Sequence, residues 1–303
     1  MIAVLLLAYG GPLNLDEVEP YLLDVRHGRP VSREFLEEVR ERYRLIGGRS
    51  PLLDITRRQA AALEERLNRE RADYRTFVGM RHWHPYIRQT VGEIAAAGIR
   101  KVVALCMAPQ FSEMSIGAYM SQTEAARQAV DAGMEVRFVE SWHLHPGYVE
   151  ACAGALQRSI AAIGGDQRLA VLFTAHSLPI RILSDGDPYP HQLRETIAAV
   201  CEIAKPRAPF FAYQSRGRTG EEWLGPDAAE EIPRLRAEGF DKLVLHPIGF
   251  VADHVEILYD DDILYRSQAE GLGFRFLRVP ACNDRPEFIE ALSQIVHEHV
   301  RGW

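Results

Sequence analysis

A histidine that closes an apolar run is the first residue of this chain with both the type and the setting for chemistry. Leu169-Ala170-Val171-Leu172-Phe173-Thr174-Ala175 reads as a buried strand, and His176 follows at its carboxyl end, leading into Ser177-Leu178-Pro179 and Asp185-Gly186-Asp187-Pro188-Tyr189. An imidazole placed there can exchange a proton near neutral pH or bind a borderline metal ion. It can equally be a histidine satisfied by backbone groups in a packed turn. A second set is acidic: Asp253-His254-Val255-Glu256-Ile257-Leu258-Tyr259-Asp260-Asp261-Asp262. On a helix, Glu256 and Asp260 share a face and repel by roughly a few tenths of a kcal/mol, a cost that a cation would offset. Asp253 and Glu256 also have the spacing of a capping box, which accounts for those two but not for Asp260 to Asp262.

A third set lies early: Arg26-His27-Gly28-Arg29, then Arg42-Tyr43, then Gly47-Gly48-Arg49-Ser50-Pro51. Guanidinium forks suit carboxylates, and glycines let backbone approach a flat ligand. Solvated helix faces are the plainer reading of any one arginine, and clustering ahead of a Gly-Gly turn favours an anion site. His82-Trp83-His84 and His143-Leu144-His145 have a spacing that puts two rings on one side of a strand, but both fall in expected loops and are set aside as metal sites. Gly217-Arg218-Thr219-Gly220 lacks the Gly-Lys-Ser/Thr ending of a phosphate loop.

These residues need elements to hold them. Short apolar runs alternate with longer amphipathic stretches, the pattern of parallel strands joined by helical crossovers. Strands are expected at Ile2–Tyr9, Tyr74–Gly79, Lys101–Met107, Glu135–Val139, Arg168–Ala175, Phe210–Gln214, Lys242–Pro247 and Phe274–Val279. Helices are expected at Ile55–Leu67, Pro85–Ala97, Ser115–Ala132, Tyr148–Ile163, Gln192–Ala204 and Glu287–Val300. The halves resemble one another: Ile2 to Tyr9 and Leu169 to His176 are apolar strands ending in Ala plus a ring. Lys101-Val102-Val103-Ala104-Leu105 likewise parallels Lys242-Leu243-Val244-Leu245-His246. We expect two similar α/β domains, 1–145 and 146–303, with the last helix packing back on the first. Ligands of open parallel sheets sit beyond the carboxyl ends of the strands, so Tyr9, Gln110, His176 and Phe250 should line one cleft between the domains.

Composition narrows the function. With 303 residues, 47% hydrophobic and 25% charged, the chain can build substantial cores and is not disordered. Its formal charge of −7, with scattered basic residues, argues against nucleic acid as a partner. No apolar run reaches the roughly 18 residues of a membrane span, and the start lacks the marks of a signal peptide, so a cytoplasmic location is expected. Cys106, Cys152, Cys201 and Cys282 lack the paired spacing of a zinc or iron–sulfur site, and reduced, mostly buried thiols are expected.

Several segments resemble the ferrochelatase family. They are Ala8-Tyr9-Gly10-Gly11-Pro12, Arg42 through Leu52, Ala175-His176-Ser177-Leu178-Pro179 with Gly186-Asp187-Pro188-Tyr189, Gln214 through Pro226, and Pro247 through Asp260. Together they run through nearly the whole chain. The resemblance implies the chelatase fold, two Rossmann-like domains, and insertion of ferrous iron into a porphyrin for haem biosynthesis. It implies His176 and Glu256 as the catalytic pair on the metal side, with Asp260 on the acidic face behind them. It implies Tyr9, Arg26, Arg42, Ser50 and Tyr119 as porphyrin-binding residues, with porphyrin and Fe2+ as substrates, no permanent cofactor and no iron–sulfur cluster. A downstream haem-pathway enzyme is an expected partner. A porphyrin must lose two pyrrole protons as a dehydrated divalent cation enters, so a base and metal-side carboxylates fit the chemistry. Bending the flat ring would take up ~1–5 kcal/mol of binding energy.

Tyr9 resembles the tyrosine that ligates iron from the opposite face in the branch acting on coproporphyrin III, which favours that substrate over protoporphyrin IX. Asp16, Glu17, Glu19 and Asp24 make Leu13 to Val25 a poor surface for docking on a bilayer. Two departures stand out. Leu264 occupies a position where related sequences often extend the acidic row, which puts an outer metal site in doubt. His27 replaces an arginine common at a neighbouring anchor. The alternatives are a cobalt chelatase acting on sirohydrochlorin, against which the Arg-rich segments argue, and a porphyrin or haem carrier, in which the acidic row would lack a purpose.

Overall fold

The computed structural model describes residues 1–69, 73–217 and 220–303, so Arg218 and Thr219 of the Gly217–Gly220 motif and of the Gln214–Pro226 segment lie outside the described residues. The chain divides into two compact units, 1–142 with 283–303, and 143–282. The first unit thus takes the last 21 residues, and the crossing lies at Trp142 and His143 rather than at 145.

In the first unit a four-stranded parallel sheet has the order β2-β1-β3-β4, formed by β1 (Ile2–Ala8), β2 (Tyr74–Met80), β3 (Lys101–Cys106) and β4 (Glu135–Val139). Every residue of β1 is buried, as its unbroken apolar run requires when helices cover both faces. Ala3, Leu5 and Leu7 pack toward α4 (Ile87–Ala96) and α5 (Ala118–Val130), with Val91, Ile94, Ile116 and Ala126. On the opposite face α3 (Leu52–Asn68) packs on β2, and α10 (Pro286–His299) packs on α3. Arg66 grips Glu290 with bonds of 2.6 and 3.1 Å, and Arg58 meets Asp284 at 3.0 Å.

Unit two repeats the plan with the order β6-β5-β7-β8, from β5 (Leu169–His176), β6 (Pro209–Gln214), β7 (Lys242–His246) and β8 (Arg275–Arg278). Ala170, Leu172, Ala212, Leu243 and Leu245 share one sheet face with α8 (Ala228–Ala237) and α9 (Arg266–Gly271). The long helices α6 (Pro146–Ile163) and α7 (Tyr189–Ala204) pack on one another, and α6 also lies against β7 and β8. All eight expected strands form, with ends displaced by a residue or so.

Among the described residues four helices have no counterpart among those expected: α1 (Val18–Val25), α2 (Arg33–Leu45), α8 and α9. Each is short or strongly polar. Only Leu36 and Tyr43 of α2 are buried, for example, so its apolar period is thin. The Ser115–Ala132 helix opens with a π turn, Glu113–Gly117, and the acidic segment after β7 is itself a π-helix, Glu256–Tyr265. Such wide turns are uncommon and recur at functional sites.

Candidate active site

His176 is the last residue of β5, and Glu256 opens the π-helix that follows β7. The two side chains meet, His176 Nε2 to Glu256 Oε1, at 3.4 Å, each about 30% exposed. Strand pairing places His176 beside Gln214, whose amide donates to the Glu256 carbonyl at 3.2 Å and so ties the π-helix to the strand ends. Gly249 lets the loop after β7 pass close to β5: a Cβ there would stand 2.8 Å from that of Ala175.

The imidazole is held from several sides. Its Nδ1 hydrogen-bonds the Ser177 carbonyl, which can only accept, so Nδ1 carries the proton and Nε2 is the atom that exchanges one. The Tyr189 hydroxyl donates to the His176 carbonyl at 2.9 Å, and the Trp223 ring lies 6.4 Å from the imidazole. Burial alone would lower the His176 pKa, but the Glu256 carboxylate beside it, with the Ser177 carbonyl and Asp260, pushes it up to about 9. Burial would raise Glu256, yet His176 and His254 hold it well below the usual carboxylate range. His254 reaches the second oxygen of Glu256 at 3.3 Å, so one carboxylate serves two imidazoles.

The rest of the acidic row is partitioned. Asp260 accepts from the Ser215 hydroxyl at 2.5 Å. Asp261 is fully buried, and burial next to Asp260 pushes its carboxyl well above the usual range. Asp262 is gripped by Arg278 at 2.9 and 2.8 Å. Glu256, Asp260 and Asp262 therefore each have a different partner, and these contacts offset the repulsion foreseen between Glu256 and Asp260. Leu264, at the next step along the row, is 48% exposed. Asp253 faces Arg278 at 3.2 Å instead of serving as a helix cap. Among the described residues no three His, Cys, Asp or Glu side chains converge on a common point as a metal ion would require; His176 and Glu256 meet as a pair, with Asp260 one turn on.

Tyr9, Arg26, Arg42, Ser50 and Tyr119 all lie in the first unit. Tyr9 follows β1, is 41% exposed, and packs its ring on His82 at 4.7 Å. His82 is buried and bonded through Nδ1 to Asp24 at 2.9 Å, while Tyr86 donates to the other oxygen of Asp24 at 3.1 Å. Burial lowers the His82 pKa despite that carboxylate. Ser50 is buried, and its backbone binds the Pro12 carbonyl at 2.8 Å. A Cβ on Gly11 would lie 2.6 Å from that of Ser50, so only glycine fits the contact between the two loops. Arg26 is exposed at the end of α1, and Arg42 is paired with Glu38 at 2.8 Å. Tyr119 is buried under the Arg81 guanidinium, 5.5 Å above its ring. A cavity of about 630 Å3 in this unit is lined by Asp24, His27, Arg81, His82 and Arg88, over a floor that includes Ala126.

Sequence reasoning passed over His254, Ser215, Tyr189 and the Asp24–His82 pair. His254, Ser215 and Tyr189 all lie within the segments that carry the family resemblance, but their types and spacing gave them no separate role. The two histidine pairs set aside are tied up singly, His84 to Gln89 at 3.2 Å and His143 to Glu195 at 3.1 Å.

Comparison with known proteins bears on this arrangement. In solved structures the fold is similar to SirB from Bacillus subtilis with Fe3+, with a TM-score of 0.61 at 10% identity over 99% of this chain and 96% of that one. It is also similar to CbiX, the terminal enzyme for biosynthesis of sirohaem in denitrifying bacteria, with a TM-score of 0.58 at 12% identity over 98% and 99%. At these identities the likeness speaks for the fold alone, that of the chelatases. Sequence relatives are nearer: the ferrochelatase of Herpetosiphon aurantiacus is 40% identical over 97% of both chains, and that of Deinococcus radiodurans 40% over 97% and 95%. The coproporphyrin III ferrochelatase of Oceanobacillus iheyensis is 38% identical over 99% and 97%. The ferrochelatase family model matches residues 1–300, and with relatives this similar along nearly their whole length the chain belongs to the ferrochelatases, haem-pathway lyases that insert a metal ion into a porphyrin.

Proposed function

We propose that this ferrochelatase inserts ferrous iron into coproporphyrin III in preference to protoporphyrin IX, with His176 and Glu256 as its catalytic pair. Tyr9 carries the substrate preference: its half-exposed phenol stands at the carboxyl end of the first sheet, backed by His82. Several relatives named coproporphyrin III ferrochelatase, at 35 to 38% identity, support it. The four carboxylates of coproporphyrin call for several cationic anchors, and Arg26 and Arg42, with Ser50 and Tyr119, are the residues we assign to them.

In this reading His176 Nε2 takes pyrrole protons and Glu256 receives the metal ion, with Asp260 behind it. Without iron, the paired imidazole holds its own proton, since its pKa stands near 9. An arriving divalent cation favours the neutral imidazole and the ionised carboxylate. Iron on Glu256 therefore drives the His176 proton off, toward Asp260 or solvent, and frees Nε2 for the pyrrole. Ferrous iron is a substrate here, and the reading calls for no resident cofactor.

The test is anaerobic Fe2+ insertion with coproporphyrin III and protoporphyrin IX side by side. A kcat/KM for coproporphyrin no greater than for protoporphyrin would overturn the preference. Product binding should also shift the porphyrin absorption band, and Tyr9→Phe should abolish that shift; a spectrum unaltered by Tyr9→Phe would remove the ligand role.

A further inference from the structure

Arg278 closes β8, the edge strand of the second sheet, and is only 12% exposed. It lies beside Leu245 in the strand register, on the face that packs against the π-helix and α9. Its guanidinium binds both oxygens of Asp262, inside the π-helix, at 2.9 and 2.8 Å, and reaches Asp253, ahead of the π-helix, at 3.2 Å. These two aspartates bracket Glu256 and Asp260. One rigid fork on a strand thus fixes both ends of the segment that carries the metal-side carboxylates. A second arginine, Arg266, reaches Asp262 at 3.5 Å from the next helical turn. The wide turns of a π-helix are uncommon and have poorer intrinsic support than an α-helix, so such an external brace has something to hold.

The charges point the same way. A two-pronged guanidinium takes Asp253 and Asp262 out of competition for a cation. Glu256 and Asp260 stay turned toward His176 and Ser215.

We infer that Arg278 is a positioning residue for metal delivery: by clamping Asp253 and Asp262 it sets the π-helix so that Glu256 and Asp260 are presented to ferrous iron. The inference rests on the assignment of those two carboxylates made above. Loss of a partner that orients metal-binding groups costs roughly 10–100-fold in metal affinity or activity, and that is the size expected here.

The experiment measures insertion kinetics with Fe2+ and porphyrin varied separately in Arg278→Gln, Arg278→Lys, Asp262→Asn and the Arg278→Gln/Asp262→Asn double variant, each with its thermal midpoint. Arg278→Gln should raise the KM for Fe2+ or lower kcat/KM for Fe2+ by about tenfold or more, with the KM for porphyrin within about twofold. Arg278→Lys, which keeps the charge but not the fork, should recover part of the loss. The double variant should be no worse than the poorer single, because both act through one contact. An equal fall in both substrates' kcat/KM together with a collapsed thermal midpoint would make Arg278 merely structural and overturn the inference. Glu256→Gln is assayed alongside. Activity lost in Glu256→Gln but kept in Arg278→Gln and Arg278→Lys removes the clamp alone, whereas activity kept in Glu256→Gln removes the site assignment and the clamp with it.

Discussion

β1 of the first unit ends in Leu6-Leu7-Ala8 and is followed by Tyr9; β5 of the second ends in Phe173-Thr174-Ala175-His176. The strand orders β2-β1-β3-β4 and β6-β5-β7-β8 are the same, and in both units a π turn opens the helical segment after the third strand in sequence. In the first unit that turn is the five residues Glu113–Gly117; in the second it runs for ten, Glu256–Tyr265. Below the strand ends, Leu6 lies beside Leu105 and, at the matching place, Phe173 lies beside His246. One plan therefore carries two loads. The first unit presents a phenol and guanidinium groups, suited to holding a flat anionic ligand, and the second an imidazole–carboxylate pair, suited to moving protons and a cation. The scaffold fixes where chemistry can sit, and a handful of strand-end residues decides which chemistry it is.

The largest test of that division sets the two π turns against each other. His176→Ala and Glu256→Gln should each lower kcat for iron insertion by ~10²–10⁴, the range of a positioned proton acceptor. Glu113→Gln, at the exposed first residue of the turn in the first unit, should stay within about twofold, as surface changes usually do. Porphyrin binding, followed by fluorescence quenching, should persist in His176→Ala. Wild-type turnover in either variant of the second unit would show that the division of labour is drawn wrongly.

Ser215 offers a finer cut. Its hydroxyl fixes Asp260 at 2.5 Å from a backbone with φ of 57°, a left-handed conformation rarely used by a residue with a side chain. A hydrogen bond to a charged group contributes about 1.5–3 kcal/mol, so Ser215→Ala should lower kcat/KM for Fe2+ by about tenfold and leave the KM for porphyrin unchanged. If both substrates were affected alike in steady-state assays, Asp260 would have no separate part in handling the metal.

How much of this could be read from residues alone follows the same line between scaffold and load. The central strands β1, β3, β5 and β7 were legible because they are buried on both faces and so read as apolar runs, whereas the edge strands β2, β4, β6 and β8 are only partly buried and show as short stretches bounded by turn residues. His176 and Tyr9 were legible as strand-end rings because Ala precedes both. The wide turn at Glu256–Tyr265 was not, because four- and five-residue periods look alike over ten residues, and the notion of a capping box at Asp253 failed when Arg278, 25 residues on, took that carboxylate. Ser215 lay within the Gln214–Pro226 segment but had no signal of its own, because its role depends on a register between β6 and a helix 45 residues later. Short-range patterns reveal what an element is, while partners brought in from distant strands decide what a charged side chain does.

His246 is expected to touch stability rather than turnover, and it gives the most direct exchange between the units. Its counterpart Leu105 is buried in an apolar layer; His246 is as deeply placed, 5.3 Å from the Phe173 ring, with no hydrogen-bond partner at Nδ1. Burial drives its pKa down to about 3. The folded chain thus refuses a proton that the unfolded chain accepts at the ordinary histidine value of about 6.5. A depressed histidine has no effect on stability above that value, and below it the unfolded state gains by ~1.4 kcal/mol per pH unit until the folded group titrates near 3. His246→Leu, which copies the first unit, should therefore match or exceed wild-type stability at pH 7 and lose one proton's worth of slope on the acid side. Urea unfolding at pH 7, 5.5 and 4.5 reads this out as a gap between variant and wild type that widens as the pH falls. Parallel curves would mean that His246 is not held neutral, and that the core of the second unit tolerates a charge where that of the first has only leucine.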